Sequence, residues 1–250
     1  MKLQLIRNAT LRLTYAGHTF VIDPYLAPQH SLPAYAGRSP NPLVELPIAP
    51  QAVIDGIEMA VISHLHTDHF DPLAQTMLPK DTLIFCQPGN DVTIREKGFL
   101  EVVPVTTEVR WQALTMTRTP GRHGTSEAVL RDMKTVAGFI FAADDEPTVY
   151  WAGDTVWYDD IEATISQWQP DIIVTHSGGA VWGANELIIM DAGQTVAVCQ
   201  HAPNSIVVAT HLEALDHCLV SRADLRAYAR EHGITDEQLR IPTDGAEFEF

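Results

Sequence analysis

Apolar and polar positions alternate from the start of the chain. Leu3 and Leu5, then Leu11, Leu13 and Tyr15, mark apolar faces, with a turn at Asn8-Ala9. A second turn at 15–18 leads to Phe20-Val21-Ile22, which ends at Asp23-Pro24. Alternation with period two, broken by turn residues, predicts hairpins of antiparallel sheet. The pattern then stops. Six of the sixteen prolines (Pro28, Pro33, Pro40, Pro42, Pro47 and Pro50) fall between 27 and 50. Proline lacks the amide donor that a helix interior or central strand needs, so this stretch is a long loop. Two readings of it stand: a lid or wall over a site, or a passive surface loop.

Beyond the loop the period changes back and forth. A short helix is predicted near 51–56, a buried strand over 59–62, and a helix with Asp71 as cap and Pro72 in its first turn. A strand over 82–85, a helical turn over 91–97 and a strand over 101–105 follow. Alternation returns over 108–118 and runs into Pro120-Gly121-Arg122-His123-Gly124. Strands are predicted over 136–143 and 148–151, the second ending at Gly153-Asp154-Thr155, and a helix over 159–168. A buried strand over 171–175 ends at His176. Asp191 caps a helix to about 199, and a strand over 205–210 ends at His211. Ser221 to Asp224 reads as a capping box opening a helix that Gly233 stops, and 235–238 as a second such signal. Residues 246–250 close the chain as a short strand. Alternating strands and helices imply a layered α/β class. The two halves share an order, sheet first and alternation after, with no fixed-period repeat and no linker. The expectation is one domain over 1–250.

Composition narrows the class. At 250 residues with 46% hydrophobic positions, the chain can bury a core without disulfides. The formal net charge of −16 repels phosphate backbones and anionic membrane surfaces, which makes nucleic acid an unfavoured partner. Cys86, Cys199 and Cys218 lie far apart with no C-x-x-C pair, and Cys86 and Cys199 sit in apolar stretches, as reduced buried thiols do. The N-terminus lacks the apolar core of a signal peptide, and no run is long enough for a membrane span. These features predict a cytoplasmic protein with no membrane partner. A homo-oligomer is compatible with all of them.

The chemistry is concentrated after the strand at 59–62, in Ser63-His64-Leu65-His66-Thr67-Asp68-His69-Phe70-Asp71. On an extended backbone His64 and His66 point to one side. Asp68 and His69 follow where the chain turns, so they can aim at a second point nearby. Neutral imidazole and carboxylate suit zinc, and also manganese or iron. His123, Asp154 and His211 also sit just after predicted strands, and strand ends on one sheet edge converge where α/β architectures place their sites. Each has a plain alternative: His123 as a surface histidine in a turn, Asp154 as a helix cap, and His201 or His217 in place of His211. His176 reads better as a polar pocket group than as an eighth ligand. Asp23 is read either as acceptor for a ligand histidine or as a turn residue. Asp191 is a helix cap. Arg122, Trp157, Tyr158 and Trp182 are candidates for pocket walls, although core or rim packing explains each of them singly.

These segments carry a resemblance. Ile22-Asp23-Pro24-Tyr25, the H-x-H-x-D-H run, Pro120-Gly121-Arg122-His123, Ala152-Gly153-Asp154-Thr155 and Ala209-Thr210-His211 match, in order and spacing, those of metallo-β-lactamase-superfamily hydrolases. Within that superfamily the chain resembles the ascorbate-6-phosphate lactonase-like branch. The resemblance implies an αββα four-layer sandwich with the site at one edge. It implies that His64, His66 and His123 hold one metal ion, that Asp68, His69 and His211 hold a second, and that Asp154 bridges the two.

A reaction type follows. Two divalent ions sharing a water lower its pKa and hold it as a bridging hydroxide that attacks a carbonyl or phosphoryl centre, with Asp68 orienting the nucleophile or moving its proton. No Gly-x-Ser-x-Gly nucleophile motif is present. The expected function is hydrolysis of a small-molecule lactone, ester or amide, or phosphodiester. A nuclease or RNA-processing enzyme with the same metal core is the alternative, disfavoured by the acidic charge and the lack of a Lys/Arg-rich arm. A non-catalytic metal-binding protein is a second alternative, disfavoured by the intact ligand set. An oxygen-reducing di-iron role is set aside because the chain has no room for a redox partner domain. Pocket walls come from loops such as 27–50 and 176–190, whose composition does not encode a ligand.

Overall fold

The computed structural model describes residues 1–250. The opening alternation folds as antiparallel strands β1 (Lys2–Arg7), β2 (Thr10–Tyr15) and β3 (His18–Ile22). The sheet continues in parallel through β4 (Met59–Ile62), β5 (Leu83–Cys86) and β6 (Val102–Pro104). A second sheet repeats this plan. β7 (Glu108–Trp111), β8 (Leu114–Pro120), β9 (Ala137–Ala142) and β10 (Val149–Trp151) are antiparallel neighbours. Then β11 (Ile172–His176), the later strand β14 (Ile206–Thr210) and β15 (Leu239–Arg240) run parallel to β10. Between β11 and β14 lies a ribbon of β12 (Val181–Trp182) and β13 (Glu186–Leu187). The last strand, β16 (Glu247–Glu249), returns to pair with β1. Each sheet therefore has seven strands.

The sheets face each other across one apolar layer. Leu5, Leu13, Phe20, Met59 and Val61 of the first sheet meet Met116, Phe139, Trp151 and Val174 of the second. Alternation along β4 explains why all four of its residues are buried: Met59 and Val61 face the other sheet, while Ala60 and Ile62 face helices. Helices α1 (Pro50–Ile54), α2 (Pro72–Met77) and α3 (Asn90–Glu96) cover the outside of the first sheet. After α4 (Glu127–Met133), helices α5 (Asp159–Trp168), α6 (Ala192–His201) and α7 (Arg222–Glu231) cover the second. Burying a large apolar side chain in such layers contributes about 1.5–3 kcal/mol each. No helix is long and apolar enough to cross a membrane.

Several local expectations need adjustment. The alternation over 108–118 is two strands, because Gln112 adopts φ +53° and reverses the chain between β7 and β8. The capping signal at 235–238 makes a single turn. Gln238 N donates to Thr235 Oγ1 (3.3 Å), but the buried Leu239 then leaves for β15, so no helix grows. The helix α4 leaves little mark in the sequence, since only its Ser126 cap and two buried residues signal it.

The Pro-rich stretch carries no helix or strand from 27 to 49, only a bridge between Leu32 and Asn41. The buried Arg7 pins both ends of it. Its guanidinium donates to the carbonyls of Tyr25 (3.1 Å), Ala27 (2.8 Å) and Val44 (3.0 Å).

Candidate metal centre

Strand ends deliver the side chains. β4 stops at Ile62 and sends Ser63 to His69 across the sheet edge. The amides of His69 and Phe70 both donate to the His66 carbonyl, which closes a turn and aims Asp68 and His69 inward. Asp23 (φ +45°) directly follows β3 and His211 (φ +60°) directly follows β14, two non-glycine residues in the left-handed region, where backbone strain commonly accompanies a site. Gly153 (φ +69°) turns the chain after β10 to present Asp154. A Cβ there would come within 2.8 Å of the Ala137 carbonyl oxygen, so glycine is required.

Two donor groups result. His64, His66, His123 and Asp154 offer ligand atoms that all lie within 4.8 Å of one another, and so do His69, Asp154, His176 and His211. Asp154 belongs to both. Its Oδ2 is 3.2 Å from His69 Nε2, 3.3 Å from His123 Nε2 and 3.7 Å from His64 Nε2. Its Oδ1 accepts from His176 Nδ1 (2.5 Å) and lies 3.8 Å from His211 Nε2. Asp68 Oδ2 sits 3.3 Å from His69 Nε2 and 3.2 Å from His211 Nε2. Asp23, His64 and His69 form a third, overlapping group.

Outer contacts fix which nitrogen each ring presents. Asp23, fully buried, accepts from His69 Nδ1 (2.7 Å) and from Ser63 Oγ (2.6 Å) on Oδ2, and from Ser63 N (2.8 Å) on Oδ1. Ser63 has thereby committed its proton, so its Oγ accepts from His64 Nδ1 (2.9 Å). His123 Nδ1 donates to the Ile188 carbonyl (2.7 Å). His211 Nδ1 lies 3.7 Å from Cys218 Sγ. With Nδ1 occupied, the lone pair of each ring falls on Nε2. Nε2 of His64, His69 and His176 is buried without a hydrogen-bond partner.

Charge within the cluster is divided. Burial, reinforced by His69 and His66, holds His64 well below the ordinary histidine value, and burial brings His123 down to about 4. Burial alone would lower His69 and His211 too, but the Asp154 and Asp68 carboxylates outweigh it, raising His69 well above its usual value and His211 to about 10. Burial opposes ionisation of Asp68 and Asp154, yet the histidines around them hold both well below the usual carboxylate range. A cation binding here would displace the protons that the carboxylates hold on His69 and His211.

All seven residues expected to be ligands come together at this edge. Of the other candidates, Asp23 contacts His69 and Ser63, and His176 contacts Asp154 from a fully buried position away from the open cavity. Asp191 caps α6 by accepting from Gln194 N (2.8 Å), and His201 pairs with Ser166 outside the site. The cavity beside the donor groups measures about 210 Å³. Its floor is His66, Asp68, His123 and Asp154, and its walls include Leu65, Met133, Trp182 and Ile188. Trp182 is thus a wall residue, whereas Arg122, Trp157 and Tyr158 are not. The sequence pattern assigns no role to Tyr35, Ser63 or Met133, which the structure places at the site. Ser63 immediately precedes the first histidine, which is a usable signal; Tyr35 and Met133 carry none.

Known proteins share this sequence pattern and fold. The family model for the beta-lactamase superfamily domain matches residues 18–212. The UPF0173 protein YddR of Bacillus subtilis is 34% identical, with all of both chains covered. The crystal structure of an isothiocyanate hydrolase from Delia radicum gut bacteria superposes with a TM-score of 0.93 at 36% identity, covering 100% of this chain and 99% of that one. A possible metal-dependent hydrolase from Veillonella parvula gives a TM-score of 0.95 at 31% identity, with 100% and 99% covered. The chain belongs to the beta-lactamase superfamily and, with its UPF0173 relatives, to the metal-dependent hydrolases of that family.

Proposed function

We propose that the protein is a dinuclear metal-dependent hydrolase of small, neutral substrates. The observation that carries this reading is Asp154, shared by two groups of histidines at the floor of one cavity. The residues fit a pair of cations. A buried imidazole nitrogen without a partner is costly unless something accepts its lone pair, and Nε2 of the neutral His64 is such an atom. His64, His66 and His123 would hold one ion, Asp68, His69 and His211 the other, and Asp154 both. Zinc suits this donor set, as do manganese and iron. Bound there, the ions supply Lewis acidity that lowers the pKa of water and polarises the substrate.

The chain supplies the rest. Asp68 lines the cavity with Oδ2 engaged by His69 and His211, which leaves its second oxygen to take a proton from the attacking water. Asp23 and Ser63 keep His64 and His69 in the tautomer that presents Nε2.

The cavity points to substrate class. None of its eleven lining residues is Lys or Arg, so no fixed cation awaits a phosphate. Together with the apolar walls, this favours a neutral electrophilic carbon: a lactone, ester or amide, or an isothiocyanate such as the similar gut-bacterial enzyme hydrolyses. A phosphodiester is the less favoured substrate. The test is a screen of zinc- and manganese-loaded protein on benzyl isothiocyanate, a γ-lactone, p-nitrophenyl acetate and bis(p-nitrophenyl) phosphate, with elemental analysis. Close to two ions per chain and turnover of a neutral compound are expected. Fewer than one ion after growth with ample metal would sink the dinuclear reading.

Metal removal should also destabilise the fold, because a cation that binds only the native state adds about 4 kcal/mol at a thousandfold excess over its Kd. For a chain of this size that corresponds to a fall in Tm of roughly 10 °C on chelation, read by calorimetry with and without EDTA. An unchanged Tm would mean that the cluster holds no tight ion.

A further inference from the structure

Beside the donor groups, the same cavity is lined by two polar side chains that belong to neither of them. Tyr35 and His217 both line it. Tyr35 Oη is buried with only the Thr67 side chain as a polar neighbour, and the buried Nδ1 of His217, a residue only 6% exposed, has no hydrogen-bond partner. The two rings meet edge to face, with centroids 5.2 Å apart and planes at 89°.

The pair is held from behind. Asp216, next to His217 in the chain, turns its carboxylate to the Pro-rich loop. Oδ1 accepts from Tyr35 N (2.9 Å) and Asn41 Nδ2 (3.0 Å), and Oδ2 from the amides of Ala36 (3.0 Å) and Arg38 (3.0 Å). Asn41 Oδ1 in turn accepts from Asp216 N (2.9 Å). The loop also ties down through Leu43 N, which donates to the Ala214 carbonyl (2.8 Å). A segment with no helix or strand of its own is thus fastened at the point where it carries Tyr35 over the cavity. This makes the Pro-rich loop a wall of the site, built so that two adjacent residues, Asp216 and His217, fix the Tyr35 backbone and flank its ring.

We infer that Tyr35 and His217 form a polar subsite that binds the heteroatom of a neutral C=X substrate, X being oxygen or sulfur, while the apolar substituent lies against Leu65, Met133, Trp182 and Ile188. The inference rests on the hydrolase reading above. As the water oxygen bonds to the carbon, the C=X π pair moves onto X and the water proton passes to Asp68. The Tyr35 hydroxyl donates a hydrogen bond to X, which strengthens as charge collects there. Tyr35 and His217 are therefore residues that touch substrate and select for a neutral acceptor with an apolar tail.

The test uses the metal-loaded full chain with Tyr35→Phe and His217→Phe, both of which keep a ring in place. With benzyl isothiocyanate or a γ-lactone, Tyr35→Phe is expected to lower kcat/KM by roughly 10²-fold, the usual effect of losing one such donor. Metal content and inhibition by inorganic phosphate, which reports on the ions alone, are expected to stay at wild-type values. A second readout is calorimetric binding of benzylurea, a slowly hydrolysed neutral carbonyl compound, weakened at least fivefold in either variant. Variants within threefold of wild type in kcat/KM overturn the subsite, as does benzylurea binding that is absent from wild type or equal in the variants. Turnover of bis(p-nitrophenyl) phosphate alone would overturn the neutral-substrate reading instead, and benzylurea binding would still decide the subsite.

Discussion

Replacing Asp154 by asparagine is expected to abolish metal-dependent hydrolysis, with kcat/KM down roughly 10³-fold or more, and to leave at most one ion per chain. The reasoning starts from its position. Asp154 Oδ2 approaches Nε2 of His69, His123 and His64 at 3.2–3.7 Å, and Oδ1 takes the His176 proton at 2.5 Å. No other carboxylate belongs to both of the donor groups that it joins. Asparagine keeps the size and the His176 hydrogen bond but loses the anionic oxygen that two cations would share. Their mutual repulsion is then unscreened, which at short range in a buried site is large. The shape is preserved, so the variant should fold, and its circular dichroism serves as the control. Elemental analysis and a rate on the best substrate of the screen check it. Two ions and undiminished turnover in Asp154→Asn would remove the bridging role.

How much of this was readable beforehand depends on distance in sequence. His64, His66, Asp68 and His69 are legible because one strand end carries them all, and a buried apolar run before a dense polar cluster is a local signal. His123, Asp154 and His211 are legible only as strand-end residues, and their convergence is a property of sheet order: β8, β10 and β14 belong to one sheet, β4 to the other. The layered class followed from alternation and from the switch to helix–strand repeats. The wall residues were out of reach for a different reason. Tyr35 lies in a loop with no period, and it faces the site only because Asp216, some 180 positions on, accepts its amide. Met133 arrives on α4, whose apolar face is too short to stand out. From sequence Asp23 is either a turn residue or a histidine acceptor, because the choice depends on whether His69 reaches it, and a turn of the chain at 66–70 decides that.

The Asp23 contacts lead to a prediction that separates the two metal positions. Asp23→Asn is expected to weaken both, by about 10- to 100-fold each, the range found when an outer partner of a ligand histidine is lost. One carboxylate serves a histidine of each group: His69 directly, at 2.7 Å, and His64 through Ser63, at 2.6 Å and then 2.9 Å. An amide in this place offers one acceptor oxygen where three donated protons converge, and its NH₂ opposes a donor. One donor is therefore left unsatisfied in a fully buried site, at about 1–3 kcal/mol. The backbone should not object, because asparagine tolerates the φ of +45° found at position 23 as readily as aspartate does. Ser63→Ala is the complementary variant. It breaks only the relay to His64, so the position built on His64, His66 and His123 should weaken while the one built on His69 and His211 keeps its affinity. Competition titrations with a chromophoric chelator resolve the two steps. A Ser63→Ala protein that loses both affinities together, or an Asp23→Asn protein that loses neither, would show that Asp23 does not hold the two histidines independently.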